Sequence, residues 1–141
     1  IVDEMVLLFK ENEGYDWVGN DLKTTFPAGM EVEVFTVSAL ADSARRARDK
    51  KIREHGTLFM RKSPSRYKLL NVEASGIRRR SAVCLGVDTP VDVAVVEKIV
   101  QSFDGDNRFS LEEILSFLDK NPEIAKKNED VPRRWRPYRG E

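Results

Sequence analysis

Apolar positions 2, 5, 6 and 9 recur at helical spacing and predict an amphipathic helix over 1–12, ended by the polar, glycine-bearing stretch 12–14. Tyr15, Trp17 and Val18 suggest a short strand running into the polar stretch 19–23. Phe26-Pro27-Ala28-Gly29-Met30 has turn chemistry, because proline presets one dihedral and glycine accepts the unusual one. Over 31–35 the residues alternate at period two, with Val32 and Val34 on one strand face and Glu31, Glu33 and Phe35 on the other. Thr36 can cap a helix over 37–48 that packs through Val37, Leu40 and Ala44 and exposes Arg45, Arg46 and Arg48. A second helix, over 50–62, carries Ile52, Phe59 and Met60 on its apolar side and stops at Ser63-Pro64-Ser65. A strand is predicted at 67–72, a basic loop at 75–81 and a continuous apolar strand at 83–87.

Thr89-Pro90-Val91-Asp92 is a compact helix start, with threonine at the cap, proline in the first turn and an acid where a capping box needs it. That helix continues through Val93, Val96, Ile99 and Val100 to Phe103. Ser110 and Glu113 form a second capping box ahead of Ile114, Leu115 and Leu118. After Pro122 the chain turns polar, and 129–141 reads as a disordered polar and basic tail. Strands mix with helices and no segment repeats, so an α/β layer is the expected architecture.

The 141 residues suffice for one domain with a core. Twenty-four basic and 24 acidic side chains give zero net charge, whereas a nucleic-acid binder draws its affinity largely from basic contacts to phosphate. No apolar run approaches bilayer-spanning length and no signal peptide opens the chain, so a soluble, cytoplasmic protein with no membrane or nucleic-acid partner is expected. The single cysteine, Cys84, forms no internal disulfide and, inside an apolar run, reads as an inert thiol. One histidine, His55, leaves no multi-histidine zinc site. The first residue is Ile1, already part of the first helical stripe, as expected of a chain that begins inside an element.

Four segments could carry chemistry. Leu85-Gly86-Val87-Asp88-Thr89-Pro90 reads as a buried strand that ends in a carboxylate and enters a capped helix. Ligands collect at the carboxyl ends of strands in open α/β sheets, and an acid fixed there can hold a divalent cation; equally, Asp88 can simply shape the turn. Arg53-Glu54-His55 with Thr57 could meet a bound hydroxyl or shuttle a proton, or His55 could pair with Glu54 on a helix surface. The stretch 104–113 resembles the later part of a calcium-binding loop, but Asn107 stands where such loops need glycine, and the capping box explains Ser110 and Glu113 without calcium. In the tail, Arg133-Arg134-Trp135-Arg136-Pro137-Tyr138-Arg139 interleaves arginine with aromatics, a pattern suited to stacking, to docking or to plain solvation.

In order, these segments resemble the spore-coat polysaccharide cytidylyltransferase family, relatives of the acylneuraminate and 3-deoxy-manno-octulosonate cytidylyltransferases. Tyr15-Asp16-Trp17-Val18-Gly19-Asn20 is similar to that family's Tyr-Asp-Tyr-Val-Ser-Asn strand. Thr25-Phe26-Pro27-Ala28-Gly29-Met30-Glu31-Val32-Glu33-Val34-Phe35 is similar to its Thr-Phe-Pro-Asp-Gly-Leu-Asp-Val-Glu-Val-Phe segment. Arg53-Glu54-His55-Gly56-Thr57 resembles Arg-Glu-His-Val-Thr, and Val87-Asp88-Thr89-Pro90-Val91-Asp92 resembles Val-Asp-Thr-Pro-Glu-Asp. The resemblance covers residues 1–128 and reads them as the C-terminal part of a nucleotidyltransferase domain.

The resemblance implies a partial Rossmann-like nucleotide-diphospho-sugar transferase fold, a mixed sheet with flanking helices whose N-terminal half is missing. It implies transfer of a cytidylyl group from CTP to a sugar or sugar acid with release of pyrophosphate, for surface polysaccharide or glycan synthesis. Mg²⁺ would be the cofactor, and monomer and homo-oligomer both stay open. On these grounds Asp88 would be a metal ligand, Asn20, Phe26, Pro27, Gly29 and Glu33 would line the sugar side, and Glu54, His55 and Thr57 would lie close by. The family's phosphate loop and its other metal motif have no counterpart here, so this piece is expected to be inactive alone. The competing readings are a non-catalytic module that keeps the scaffold, and a calcium-binding helix-loop-helix protein.

Overall fold

A computed structural model describes residues 1–104 and 108–138. The chain divides into two compact units: one comprises Ile1–Thr24, Val32–Val72 and the described residues from Trp135 onward, the other Thr25–Glu31 and Glu73–Arg134.

The first unit contains α1 (Val2–Glu11), β1 (Trp17–Gly19), β2 (Glu33–Phe35), α2 (Val37–Arg46), α3 (Lys50–Arg53), α4 (Leu58–Arg61) and β3 (Leu69–Asn71). The strands form a mixed sheet in the order β2-β1-β3, with β2 antiparallel and β3 parallel to the central strand. Trp17 pairs with Phe35 on one side and Leu69 on the other, while Gly19 pairs with Glu33 and Asn71. All of β1 is buried, as expected of a central strand. Trp17, Ala39, Met60 and Tyr67 form the core, with Phe35, Leu40, Phe59 and Leu69 packed around it. α1 lies against β1 and β2 and buries Met5, whereas Val2 at the start of the predicted stripe is exposed.

Two helix readings change. Thr36 caps α2 as predicted, accepting from the Ala39 N–H at 3.1 Å, but the buried face runs through Ala39 and Ser43, while Val37 and Ala44 are exposed. Small side chains at i and i+4 let α2 approach α4 closely. The predicted helix over 50–62 is two short helices, α3 and α4, separated around Gly56. Glycine disfavours the helix interior, and Asp49 gives α3 its own cap, accepting from the Lys51 N–H at 2.8 Å.

The second unit is helical: α5 (Pro90–Gln101), α6 (Leu111–Lys120) and α7 (Pro122–Lys126). Both capping boxes form as read from sequence. The Thr89 N–H donates to Asp92 Oδ2 at 2.8 Å, and the Ser110 N–H donates to Glu113 Oε2 at 2.7 Å. Val95, Ile99, Leu118 and Ile124 make this unit's core, flanked by Val83, Leu85 and Phe117. Val93, placed on the apolar stripe by spacing, is exposed.

The apolar run 83–87 is not a strand. It makes a single parallel bridge, Ala28 to Cys84, closed by Ala28 N–H to Val83 O at 2.9 Å and Leu85 N–H to Ala28 O at 2.7 Å. The partner segment has no more ladder to offer: Pro27 lacks an N–H, and the Gly29 N–H is taken by Glu31 Oε2 at 2.7 Å. The turn itself is as predicted, with Met30 N–H bonding Pro27 O at 3.1 Å and Gly29 at φ +94°. The two backbones touch there, since a Cβ on Gly29 would stand 2.5 Å from the Gly86 nitrogen.

Candidate functional site

β1 and β3 run parallel, so their carboxyl ends lie together, and the polar residues that follow them gather in the first unit. Asn20, just past β1, is fully buried, and its Oδ1 accepts from the Val32 N–H at 2.8 Å, which fixes the approach to β2. Asn71, the last residue of β3, accepts from the Leu22 and Lys23 N–H groups at 3.0 and 3.1 Å. Glu33, opposite Gly19, accepts from the Thr57 hydroxyl at 2.5 Å and lies 3.5 Å from Arg61 Nε. Arg61 also pairs with Asp21 and donates to the Tyr138 carbonyl at 3.2 Å. His55 packs on the Tyr138 ring with centroids 4.4 Å apart.

Arg61 keeps only 9% of its side chain exposed, and Glu33 keeps 23%. Burial raises the Glu33 carboxyl above its ordinary value, and the Thr57 hydroxyl partly opposes that shift. Burial likewise lowers the Arg61 guanidinium from its usual value. A carboxylate, a hydroxyl, a guanidinium and an imidazole within one small region suit a ligand rich in hydroxyl groups.

Of the first unit's expected residues, Asn20, Glu33 and Thr57 come together, and His55 stands against Tyr138 rather than against Glu54. Glu54 is exposed at the end of α3. Its neighbour Arg53 turns away to the Ala44 and Ala47 carbonyls at 2.6 and 3.0 Å. Asp21, Arg61 and Tyr138 were missed. Asp21 adjoins Asn20, which is a legible signal, but in the sequence Arg61 reads as part of a continuous helix and Tyr138 as part of a tail.

The second unit holds Phe26, Pro27, Gly29 and Asp88. Phe26 and Pro27 are buried, so their side chains hold the turn. The Asp88 side chain is 53% exposed, and its nearer oxygen lies 3.6 Å from Arg133 Nη1. Just behind it, Asp92 is fully buried and unusually well supplied with donors. Arg133 grips both of its oxygens at 2.7 and 2.5 Å, and Asn128 Nδ2 and the Thr89 hydroxyl add bonds at 2.7 and 2.8 Å. The Arg133 guanidinium is the main cause holding the Asp92 carboxyl far below the usual carboxylate range, against the opposing effect of burial. The stretch expected to be a disordered tail therefore supplies a buried arginine, with 5% of its side chain exposed, because a buried carboxylate needs a partner. Arg136–Tyr138 forms a short 3-10 turn, whereas Arg139 lies outside the described residues.

Two other expectations can be placed. Burial pushes the Cys84 thiol up, as an inert cysteine requires. The calcium reading falls largely on 105–107, outside the described residues; among the described ones, the Glu113 carboxylate caps α6 and no group of three His, Cys, Asp or Glu side chains is gathered for a metal. Among the described residues no helix is long and apolar enough to cross a membrane.

No protein-family model matches this chain. An uncharacterized protein of Methanocaldococcus jannaschii is 31% identical over 140 residues, covering 99% of this chain and 54% of that protein. The spore coat polysaccharide biosynthesis protein SpsF of Bacillus subtilis is 27% identical over 122 residues, covering 86% of this chain and 49% of SpsF. A solved cytidylyltransferase from Leptospira borgpetersenii serovar Hardjo-bovis superposes with a TM-score of 0.82 at 27% identity, over 93% of this chain and 54% of that one. The fold matches about half of that cytidylyltransferase. Its three-stranded mixed sheet and flanking helices match over nearly the whole chain. The chain spans about half the length of the curated relatives it matches.

Proposed function

We propose that this chain supplies the sugar-binding side, and one metal carboxylate, of a nucleotidyltransferase that joins a sugar or sugar acid to CMP. The observation that carries this reading is the polar group at the carboxyl ends of β1 and β3, in a fold shared with a cytidylyltransferase. Glu33 and Thr57 would orient sugar hydroxyls, with Arg61 fixing the Glu33 carboxylate and His55 and Tyr138 forming an adjoining wall. The reaction would be in-line attack of a sugar hydroxyl on the α-phosphorus of CTP, with pyrophosphate leaving.

Asp88 would suit a magnesium ion of the kind held by one or two carboxylates plus substrate phosphates, since its carboxylate is half exposed, with Arg133 3.6 Å away, and among the described residues no group of three His, Cys, Asp or Glu side chains is gathered for a metal. Asp92 does not fit that role, because both its oxygens are committed. When bound, such an ion neutralises charge on the phosphates. The chain's own part is to hold the Asp88 carboxylate in place through α5 and to hold the sugar. The phosphate loop that the reaction also requires would come from sequence outside these 141 residues. Surface polysaccharide or related glycan synthesis is the setting that the likeness to SpsF supports.

In a protein of the relatives' full length, Glu33→Gln should raise KM for the sugar roughly tenfold or more while KM for CTP holds, the pattern of a lost ground-state contact. Steady-state kinetics in both substrates measures this. Equal effects on both substrates, or on neither, would remove Glu33 from the sugar side.

A further inference from the structure

Zero net charge conceals a strong asymmetry. Residues 45–68 contain ten basic and two acidic side chains, leaving 14 basic and 22 acidic in the rest of the chain. The concentration lies wholly within the first unit. Two hollows open there: one of about 520 Å³ lined by Asp42, Arg45, Arg46, Arg48, Phe59 and Arg66, and one of about 690 Å³ lined by Ala44, Arg45, Ala47, Arg48, Lys50 and Arg53. Arg45 and Arg48 belong to both, so the hollows adjoin.

Part of this charge has local work. Arg45 and Arg46 stand in the last turn of α2, where cations complement the helix dipole, and Arg53 caps that helix's last carbonyls. Asp42, the one carboxylate in the first hollow's lining, accepts from Arg46 at 2.8 Å, from the Tyr67 hydroxyl at 3.0 Å and from Arg45 at 3.4 Å, so among the described residues Arg45 is partly engaged while Arg48 and Arg66 are not. These bonds, Arg46's first, bring the Asp42 carboxyl down to about 2, so it stays ionised and committed. The remainder has no such account. Arg48, Lys50 and Arg66 are exposed, and among the described residues none of them enters an ion pair. Like charges crowded around a concave surface repel one another until an anion enters.

We propose that the arginine-lined hollow at the end of α2, walled by Arg45, Arg48 and Arg66, is a binding site for condensed phosphate. Guanidinium forks match phosphate oxygens in pairs, and a volume near 520 Å³ accommodates a small multiply charged anion. A nucleic-acid strand fits less well, since the only lining aromatic, Phe59, packs on the core and stands edge-on to Tyr67, leaving no stacking platform. A lipid surface fits less well too, because the first hollow's lining carries no apolar side chain but Phe59. The site is independent of the sugar-side group, so either can fail alone.

Calorimetric titration of the 141-residue chain with sodium tripolyphosphate is the test. Saturable binding to one site is expected, weakened by added salt and about tenfold or more by Arg48→Ala with Arg66→Ala. Lys126→Ala with Lys127→Ala removes the same charge from exposed lysines elsewhere and should leave the affinity unchanged. Circular dichroism confirms that both variants fold. CTP binding as tightly as tripolyphosphate identifies the phosphates alone as the ligand, and tighter CTP binding lost in the same arginine variant identifies a nucleotide's phosphate tail; both support the site. No binding, equal loss in both double variants, or stronger arginine-dependent binding to single-stranded nucleic acid or anionic vesicles overturns it.

Discussion

At the scale of single residues, the second unit turns on Asp92. Spacing identified it as a capping acid, and it does cap α5, but spacing could not show that the same carboxylate is buried and gripped by Arg133, 41 positions away. Such a partner is invisible to local pattern, because an arginine in a polar, aromatic stretch reads equally well as solvated. Removing one member of a buried pair leaves the other charge uncompensated, so Asp92→Ala should cost about 3–5 kcal/mol. Urea unfolding measures it, and a loss near 1 kcal/mol, the worth of a cap alone, would deny the buried pair its role. The sign with pH follows from the lowered carboxyl. The contribution is complete above the ordinary carboxylate value of 3.8 and fades as pH falls toward the folded value, so wild-type stability should drop through that acid window and Asp92→Asn should flatten the drop.

At the scale of elements, helices with explicit caps were legible, and so were the three strands that pair with one another, at Trp17–Gly19, Glu33–Phe35 and Leu69–Asn71, whereas the run 83–87 was not. The capping signals at Thr36, Thr89 and Ser110 each specify a bond between neighbours in sequence, and all three bonds form. The apolar run 83–87 carries equally strong composition but makes only one bridge, because a strand is decided by its partner, and the partner contains Pro27 and a turn at Gly29. Candidate site residues followed the same division. Glu33 and Thr57, placed by resemblance, do bond to each other, whereas Arg61 was hidden inside a helix drawn too long. Contact between the turn and the run makes Gly29 sensitive. Gly29→Ala introduces a Cβ that would meet Gly86 backbone at 2.5 Å and forces a positive φ on a residue that resists it. A loss of about 1–3 kcal/mol is expected on thermal or urea unfolding, and a neutral substitution would show that the two backbones separate readily.

At the scale of the whole molecule, the sheet has three strands of three residues, and among the described residues β2 and β3 are its two open edges, on either side of a fully buried centre. Unpaired edges recruit other strands, so the 141-residue chain should self-associate as concentration rises. Light scattering checks this, and a monodisperse monomer at every concentration would contradict it. The fold class was legible from the mixture of strands and helices together with the ordered motifs, and the match to a solved cytidylyltransferase bears it out. Which atoms meet in the polar group needed the structure, because Asn20, Glu33, Thr57 and Arg61 come from four separate segments. The functional account depends most on Asp88, the exposed carboxylate held at the start of α5. The direct measurement is Mg²⁺-dependent pyrophosphate release from CTP by a full-length protein carrying Asp88→Asn. The account predicts a fall of about a hundredfold or more with the fold intact; an unchanged rate with unchanged Mg²⁺ dependence would contradict it.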